Sequence, residues 1–124
     1  MDLYKDELLD HYRFARHRGT LLQPDFSSGQ YNPSCGDQVS MQANVANGHL
    51  VAIAFQGSGC VISQASASMV AELVKDKTLA YLESLTPQDI QNLLGIQLGP
   101  TRLKCALLSL YALQEGLREY TKKS

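Results

Sequence analysis

The stretch Asn32-Pro33-Ser34-Cys35-Gly36-Asp37 sets a soft thiolate and a hard carboxylate two residues apart, on a backbone bent by Pro33 and loosened by Gly36. Two further cysteines, Cys60 and Cys105, complete the chain's thiols. Three sulfurs and one carboxylate make a four-donor set for zinc, or for iron held in a sulfur cluster. Thiolates hold such metals tightly, whereas a carboxylate is the harder and weaker partner in a sulfur-rich site. Asp37 is therefore the donor expected to let go first. The plain alternative is that each cysteine is a buried, inert side chain, since free cysteine is among the most buried residue types. The surroundings argue otherwise: Cys35 lies beside Gly36 and Asp37 in a polar turn, Cys60 is preceded by Gly57 and Gly59, and Cys105 follows Arg102 and Lys104.

The elements around these residues have to bring them together. Val39, Met41, Ala43 and Val45 alternate with Ser40, Gln42 and Asn44, the pattern of a strand with one buried face. Asn47-Gly48 is a hairpin turn signal, because both residues accept positive φ. The returning run Leu50 to Phe55 is apolar on both sides and predicts the more buried strand. With Asn47 and Gly48 as the loop, Ala46 faces His49, Val45 faces Leu50, and the same ladder carried outward sets Cys35 opposite Cys60. Residues 20–31, broken by Pro24, Ser27, Ser28 and Gly29, read as an irregular or short extended connection. Helices are predicted over Leu3 to Arg16, from Ser63 as N-cap through Val74, over Leu79 to Leu85, and after the capping box Thr86-Pro87-Gln88-Asp89 as far as Gly95. A last and longest helix, capped by Thr101, carries the stripe Leu103, Leu107, Leu110, Leu113 and Leu117. Cys105 then falls in its first turns beside Arg102 and Lys104, where a thiol is expected to ionise easily and to be a good ligand and nucleophile.

The rest of the chain narrows the class. Its 124 residues suit a single domain spanning 1–124, with a net charge of −1 that gives no sign of a nucleic-acid surface. No apolar run reaches membrane-spanning length, and the acidic start Met1-Asp2-Leu3-Tyr4-Lys5-Asp6-Glu7 is unlike a secretory or transit peptide. An odd cysteine count then points to a reducing cytoplasm. The basic cluster Arg13, Arg16, His17 and Arg18 reads as a solvated helix end or as a docking patch for an acidic partner. His11 and His17 are taken as structural, and the Ser- and Ala-rich run Ser63 to Ser68 lacks the glycines and lysine of a phosphate loop.

Taken together, Leu9-Asp10-His11-Tyr12 with Arg16 and Gly19, Asn32 to Asp37, Gly57-Ser58-Gly59-Cys60 with Ile62-Ser63 and Ala65 to Met69, and Arg102-Leu103-Lys104-Cys105 are a specific combination. The chain resembles the U-type iron–sulfur cluster scaffold family (IscU, SufU and the N-terminal domain of NifU). The resemblance implies an α+β, SufE/NifU-like fold with a small antiparallel sheet covered by helices. It implies a near-surface site of Cys35, Asp37, Cys60 and Cys105, with Arg102 and Lys104 as accessory residues. There, sulfur delivered as persulfide by a PLP-dependent cysteine desulfurase of the IscS or SufS type is combined with iron. The 2Fe–2S product passes to recipient apoproteins. Cys105 is the first choice of persulfide acceptor, with Cys35 and Cys60 as the others, and the scaffold is expected to be a monomer or weak dimer. Tyr4 matches a family tyrosine, which implies either a dimer contact or a merely packed aromatic.

Two departures separate the branches of that family. Lys104 stands where the IscU branch has histidine, and Leu98-Gly99-Pro100-Thr101-Arg102 replaces its Leu-Pro-Pro-Val-Lys chaperone motif. Both are similar to the SufU branch, whose members hold zinc with three cysteines and an aspartate. Yet the SufU insertion before the final helix is missing, since Lys75 to Cys105 is short. The functions implied are a cluster scaffold, a zinc-dependent sulfurtransferase that stimulates a desulfurase, or a structural zinc domain.

Overall fold

Asp37 to Ser58 form the hairpin that the alternation and the Asn-Gly turn require: β2 (Asp37–Ala46) and β3 (His49–Ser58), preceded by β1 (Phe26–Asn32). The computed structural model describes residues 3–123, with side chains from residue 5 to 123, so Tyr4 as a dimer contact lies outside the described side chains. The three strands are antiparallel in the order β1-β2-β3. Along β2, Asp37, Val39, Met41 and Ala43 are buried and Gln38 and Ser40 exposed, as a strand with one helix-covered face demands. β2 is the central strand, and of the returning run in β3 Leu50, Ile53, Ala54 and Phe55 are buried while Val51 is exposed.

The turn itself is as expected, with Asn47 at φ 53° and Gly48 at φ 76°, and with Ala46 facing His49 and Val45 facing Leu50. Past those pairs the register changes. Asn44 faces Ala52, leaving Val51 over as a bulge, and every later pair is displaced by one residue, ending with Gln38 against Ser58. The expected pairing of Cys35 with Cys60 is therefore corrected. Cys35 lies in the β1–β2 turn, outside the ladder.

The reading of residues 20–31 as a connection is also corrected. Phe26–Asn32 pairs with β2 along its whole length. Its local sequence favours a break, but pairing to β2 and packing against a helix supply the stabilisation. That helix is α6 (Leu108–Lys123), where Gly116 leaves room for the Phe26 ring and Tyr120 meets it at 5.9 Å.

The helical side is organised on α2 (Val61–Val74), which touches α1 (Leu3–Arg13), β2, β3, α5 (Pro100–Ala106) and α6. Its buried Ser63, Ala65, Ser66, Ala67 and Ser68 are small, so neighbouring elements approach closely. Its N-cap is Cys60 rather than Ser63, and α1 stops at Arg13 rather than Arg16. Helices α3 (Leu79–Ser84) and α4 (Pro87–Leu94) match the sequence, and Thr86 and Asp89 form the reciprocal capping box, with Gly95 closing α4 at φ 70°. The single final helix is corrected to two: α5, capped by Gly99 rather than Thr101, and α6, with Leu107 between them. Ser66 Oγ donates to the Ala106 carbonyl at 2.7 Å, which satisfies a backbone acceptor at the break.

Much of the basic cluster is engaged within the fold. Arg16 pairs with Asp10 at 2.7 Å and His17 meets Glu72 at 3.1 Å. Arg18 lies 4.9 Å from the centre of the Phe55 ring and donates to Gln64. His11 bonds Ser68 Oγ at 2.7 Å in a buried contact, a structural role as read. Among the described residues no helix is long and apolar enough to cross a membrane.

Candidate metal site

Asp37, the first residue of β2, is buried, and its carboxylate sits at the end of the sheet where α2 begins. Cys60, the N-cap of α2, donates its backbone N–H to Oδ1 at 3.0 Å and its thiol to Oδ2 at 2.8 Å. Gly59, at φ 137°, makes this approach possible, because a Cβ there would overlap the carboxylate. Cys35 reaches the same place from the β1–β2 turn, its sulfur 3.1 Å from that of Cys105 on α5. A carboxylate oxygen of Asp37 and the sulfurs of Cys35 and Cys105 all lie within 4.8 Å of one another. One turn, one strand end and one short helix thus bring Cys35, Asp37 and Cys105 within ligand range of one another, and the start of α2 joins Cys60 to them through its bonds to Asp37. Cys35 and Cys60 are exposed and Cys105 is buried.

The electrostatics differ from expectation at Cys105. Burial pushes its thiol up, helped by hydrogen bonds with Cys35 and Asp37 and by electrostatic interaction with Cys60 and Asp37. The expected easily ionised thiol is corrected for two reasons. Cys105 is the sixth of seven residues in α5, beyond the first turn where a helix N-terminus acts, and the flanking Arg102 and Lys104 are exposed. Neither basic residue is brought to the sulfurs by a hydrogen bond or ion pair among those described. For Asp37, burial would raise the carboxyl, but hydrogen bonds from the Cys60 thiol and N–H, with Cys105 and Ser63, outweigh it and hold the carboxyl below its usual range.

The donor set fits a thiophilic metal. Zinc–sulfur bonds of about 2.3 Å in a tetrahedron put ligand atoms roughly 3.8 Å apart, so a seated ion needs the 3.1 Å Cys35–Cys105 pair to open slightly. Such an ion deprotonates a coordinating thiol outright, which reverses the effect of burial on Cys105. Cys35, Cys60 and Cys105 would hold it with Asp37 as the fourth donor.

The sequence reading missed two neighbours. Asn32, read only as the opening of its motif, is buried and donates from Nδ2 to Cys105 Sγ at 3.7 Å. Gly59, read only as a residue flanking Cys60, shapes the space of the carboxylate. An Asn-Pro step opening a turn was the available signal for the first.

The NifU-like N terminal domain family matches residues 3–124. The chain is 32% identical to the zinc-dependent sulfurtransferase SufU of Bacillus subtilis, covering 93% of this chain and 89% of that protein. That alignment runs over 132 positions, more than the 124 residues present here, so it leaves gaps in this chain. Identity is also 32% with the iron–sulfur cluster assembly scaffold protein IscU of Azotobacter vinelandii, covering 97% and 95%. Among solved structures, the N-terminal NifU-like protein of Brucella abortus superposes with a TM-score of 0.80 at 19% identity over 98% of this chain and 96% of that one, a likeness of fold. A putative iron–sulfur cluster assembly scaffold protein for the SUF system of Fervidobacterium islandicum gives 0.75 at 25% identity, covering 90% and 94%. With a match that takes in all four gathered donors, the chain belongs to the NifU-like N-terminal domain family.

Proposed function

We propose that this chain is an iron–sulfur cluster assembly scaffold. It accepts persulfide sulfur from a PLP-dependent cysteine desulfurase, combines it at Cys35, Asp37, Cys60 and Cys105 with ferrous iron and with electrons from a thiol reductant that bring the sulfur to sulfide, and yields a 2Fe–2S cluster to recipient apoproteins. The observation that carries the reading is the buried Asp37 carboxylate, bonded to Cys60 and within ligand range of Cys35 and Cys105. Three sulfurs give tight holding, and the single hard donor gives the site a weak bond through which cargo enters and leaves. Cys35 and Cys60 are exposed, so they are the thiols a desulfurase reaches first, and Cys105 follows. The family match over residues 3–124 supports reading 1–124 as one scaffold domain. We place it in the reducing cytoplasm as a monomer or weak dimer.

A second reading, zinc-dependent sulfur transfer, is favoured by Lys104 in place of the IscU-branch histidine and by the likeness to the Bacillus subtilis relative. One experiment separates them. The protein is incubated anaerobically with ferrous iron, cysteine, a desulfurase and excess thiol reductant, while metal content and desulfurase turnover are followed. The scaffold predicts brown protein with visible sulfur-to-iron absorbance. Colourless protein that retains zinc and accelerates the desulfurase selects sulfur transfer. Colourless protein that does neither overturns both and leaves a structural zinc domain.

A further inference from the structure

We propose that Asn32 is a positioning residue of this site, whose side-chain amide directs the Cys105 sulfur toward the metal. The inference rests on the metal-site reading above. Asn32 ends β1, is buried, and makes contacts on both sides of the sulfur pair. Its Nδ2 donates to Cys105 Sγ at 3.7 Å, within the longer reach of a bond to the large sulfur atom. Its Oδ1 accepts the backbone N–H of Ser34 at 3.1 Å, and its main-chain carbonyl accepts the N–H groups of Gly36 at 2.8 Å and Cys35 at 3.3 Å. The Cys35 thiol also points at that carbonyl, at 3.9 Å. One residue therefore ties the loop that carries Cys35 to the helix that carries Cys105.

The orientation of the amide follows from chemistry. An amide has one oxygen and one NH₂ end, and the Ser34 N–H requires the oxygen. The NH₂ is then left facing the sulfur, and a flipped amide would set two donors, Nδ2 and the Ser34 N–H, against each other. Cys105 is buried, so water contributes little to stabilising its thiolate. A neutral N–H donor offsets part of that loss without placing a positive charge beside an incoming cation, as arginine or lysine would. An N–H···S bond to a ligating thiolate also withdraws electron density from sulfur and tunes the metal it holds.

Asn32→Ser separates this role from shaping the turn. The serine hydroxyl can still accept the Ser34 N–H but is too short to reach Cys105. Cobalt(II) is titrated into wild type and variant, reading affinity and the sulfur-to-cobalt charge-transfer bands. The variant is expected to bind about tenfold more weakly, with bands moved to longer wavelength. In wild type loaded with an NMR-active cadmium isotope, the Asn32 side-chain amide proton is expected to show coupling to cadmium through the sulfur. Unmoved bands with no response of that amide overturn the inference and leave Asn32 a turn residue. If the variant does not fold, the cadmium measurement on wild type decides. If wild type shows no sulfur-to-cobalt bands at all, the metal-site reading fails and takes this inference with it.

Discussion

Cys60 and Cys105 carry the same thiol at opposite sides of one carboxylate, in contrasting surroundings. Cys60 caps a 14-residue helix, is exposed, and is bonded to Asp37 by both its N–H and its sulfur. Cys105 lies in the last turn of a 7-residue helix, is buried, and faces Asn32 and Cys35. By sequence alone Cys105 is the more reactive of the two, because two basic residues flank it. Packing reverses that order: the flanking charges remain in solvent while the sulfur does not. The contrast suits a site in which one sulfur meets partners and another anchors what they deliver.

The sharpest way to break the contrast is to compare thiol reactivity. In metal-free protein, iodoacetamide should label Cys60 and Cys35 about a hundredfold faster than Cys105, read by peptide mapping. Equal rates would erase the distinction. Next in size is Gly59→Ala, in which a Cβ overlaps the Asp37 carboxylate on a backbone at φ 137°. A loss of about 2–3 kcal/mol is expected in denaturant unfolding, with weaker zinc binding. The matching change at the start of α5, Gly99→Ala, meets nothing within 4 Å and should cost about 0.5–1 kcal/mol through the cap alone.

The smallest effect concerns the carboxylate the two cysteines share. The Asp37 carboxyl is held below its usual value of 3.8, so its contribution to stability is present above that pH and is lost as pH falls through the folded value. In metal-free protein, the melting-temperature gap between wild type and Asp37→Asn should hold from neutrality to about pH 5 and narrow in stronger acid. A gap that persists unchanged in acid would remove the Cys60 hydrogen bonds from the account.

What was legible in the sequence is what local chemistry decides. Asn47-Gly48 had to turn, Thr86 and Asp89 had to cap, and β2 announced its buried face by alternation. Cys35, Asp37, Cys60 and Cys105 stood out by type and neighbourhood, and the structure brings Cys35, Asp37 and Cys105 within ligand range and bonds Cys60 to Asp37. The failures share a cause, since each depends on residues far away in the chain. β1 is a strand because β2 and α6 lie against Phe26–Asn32, whatever Ser27, Ser28 and Gly29 prefer. The break at Leu107 and the burial of Cys105 come from packing against α2, where Ser66 takes the Ala106 carbonyl. Nothing in Leu50-Val51-Ala52 marks a bulge, because an apolar run without glycine reads as continuous strand.

That one surplus residue has reach. Side chains alternate along a strand, so a unit of length added near the hairpin tip arrives at the opposite end undiminished, as a step of about 3.4 Å. Counting from the turn, Val51 decides that Gly59 rather than Ser58 comes level with Asp37. A position without a side chain is thereby delivered where the carboxylate needs clearance. The meeting of Asp37 with Cys60 is in this sense a sum performed along the ribbon, and excising Val51 would rephase it without touching either residue.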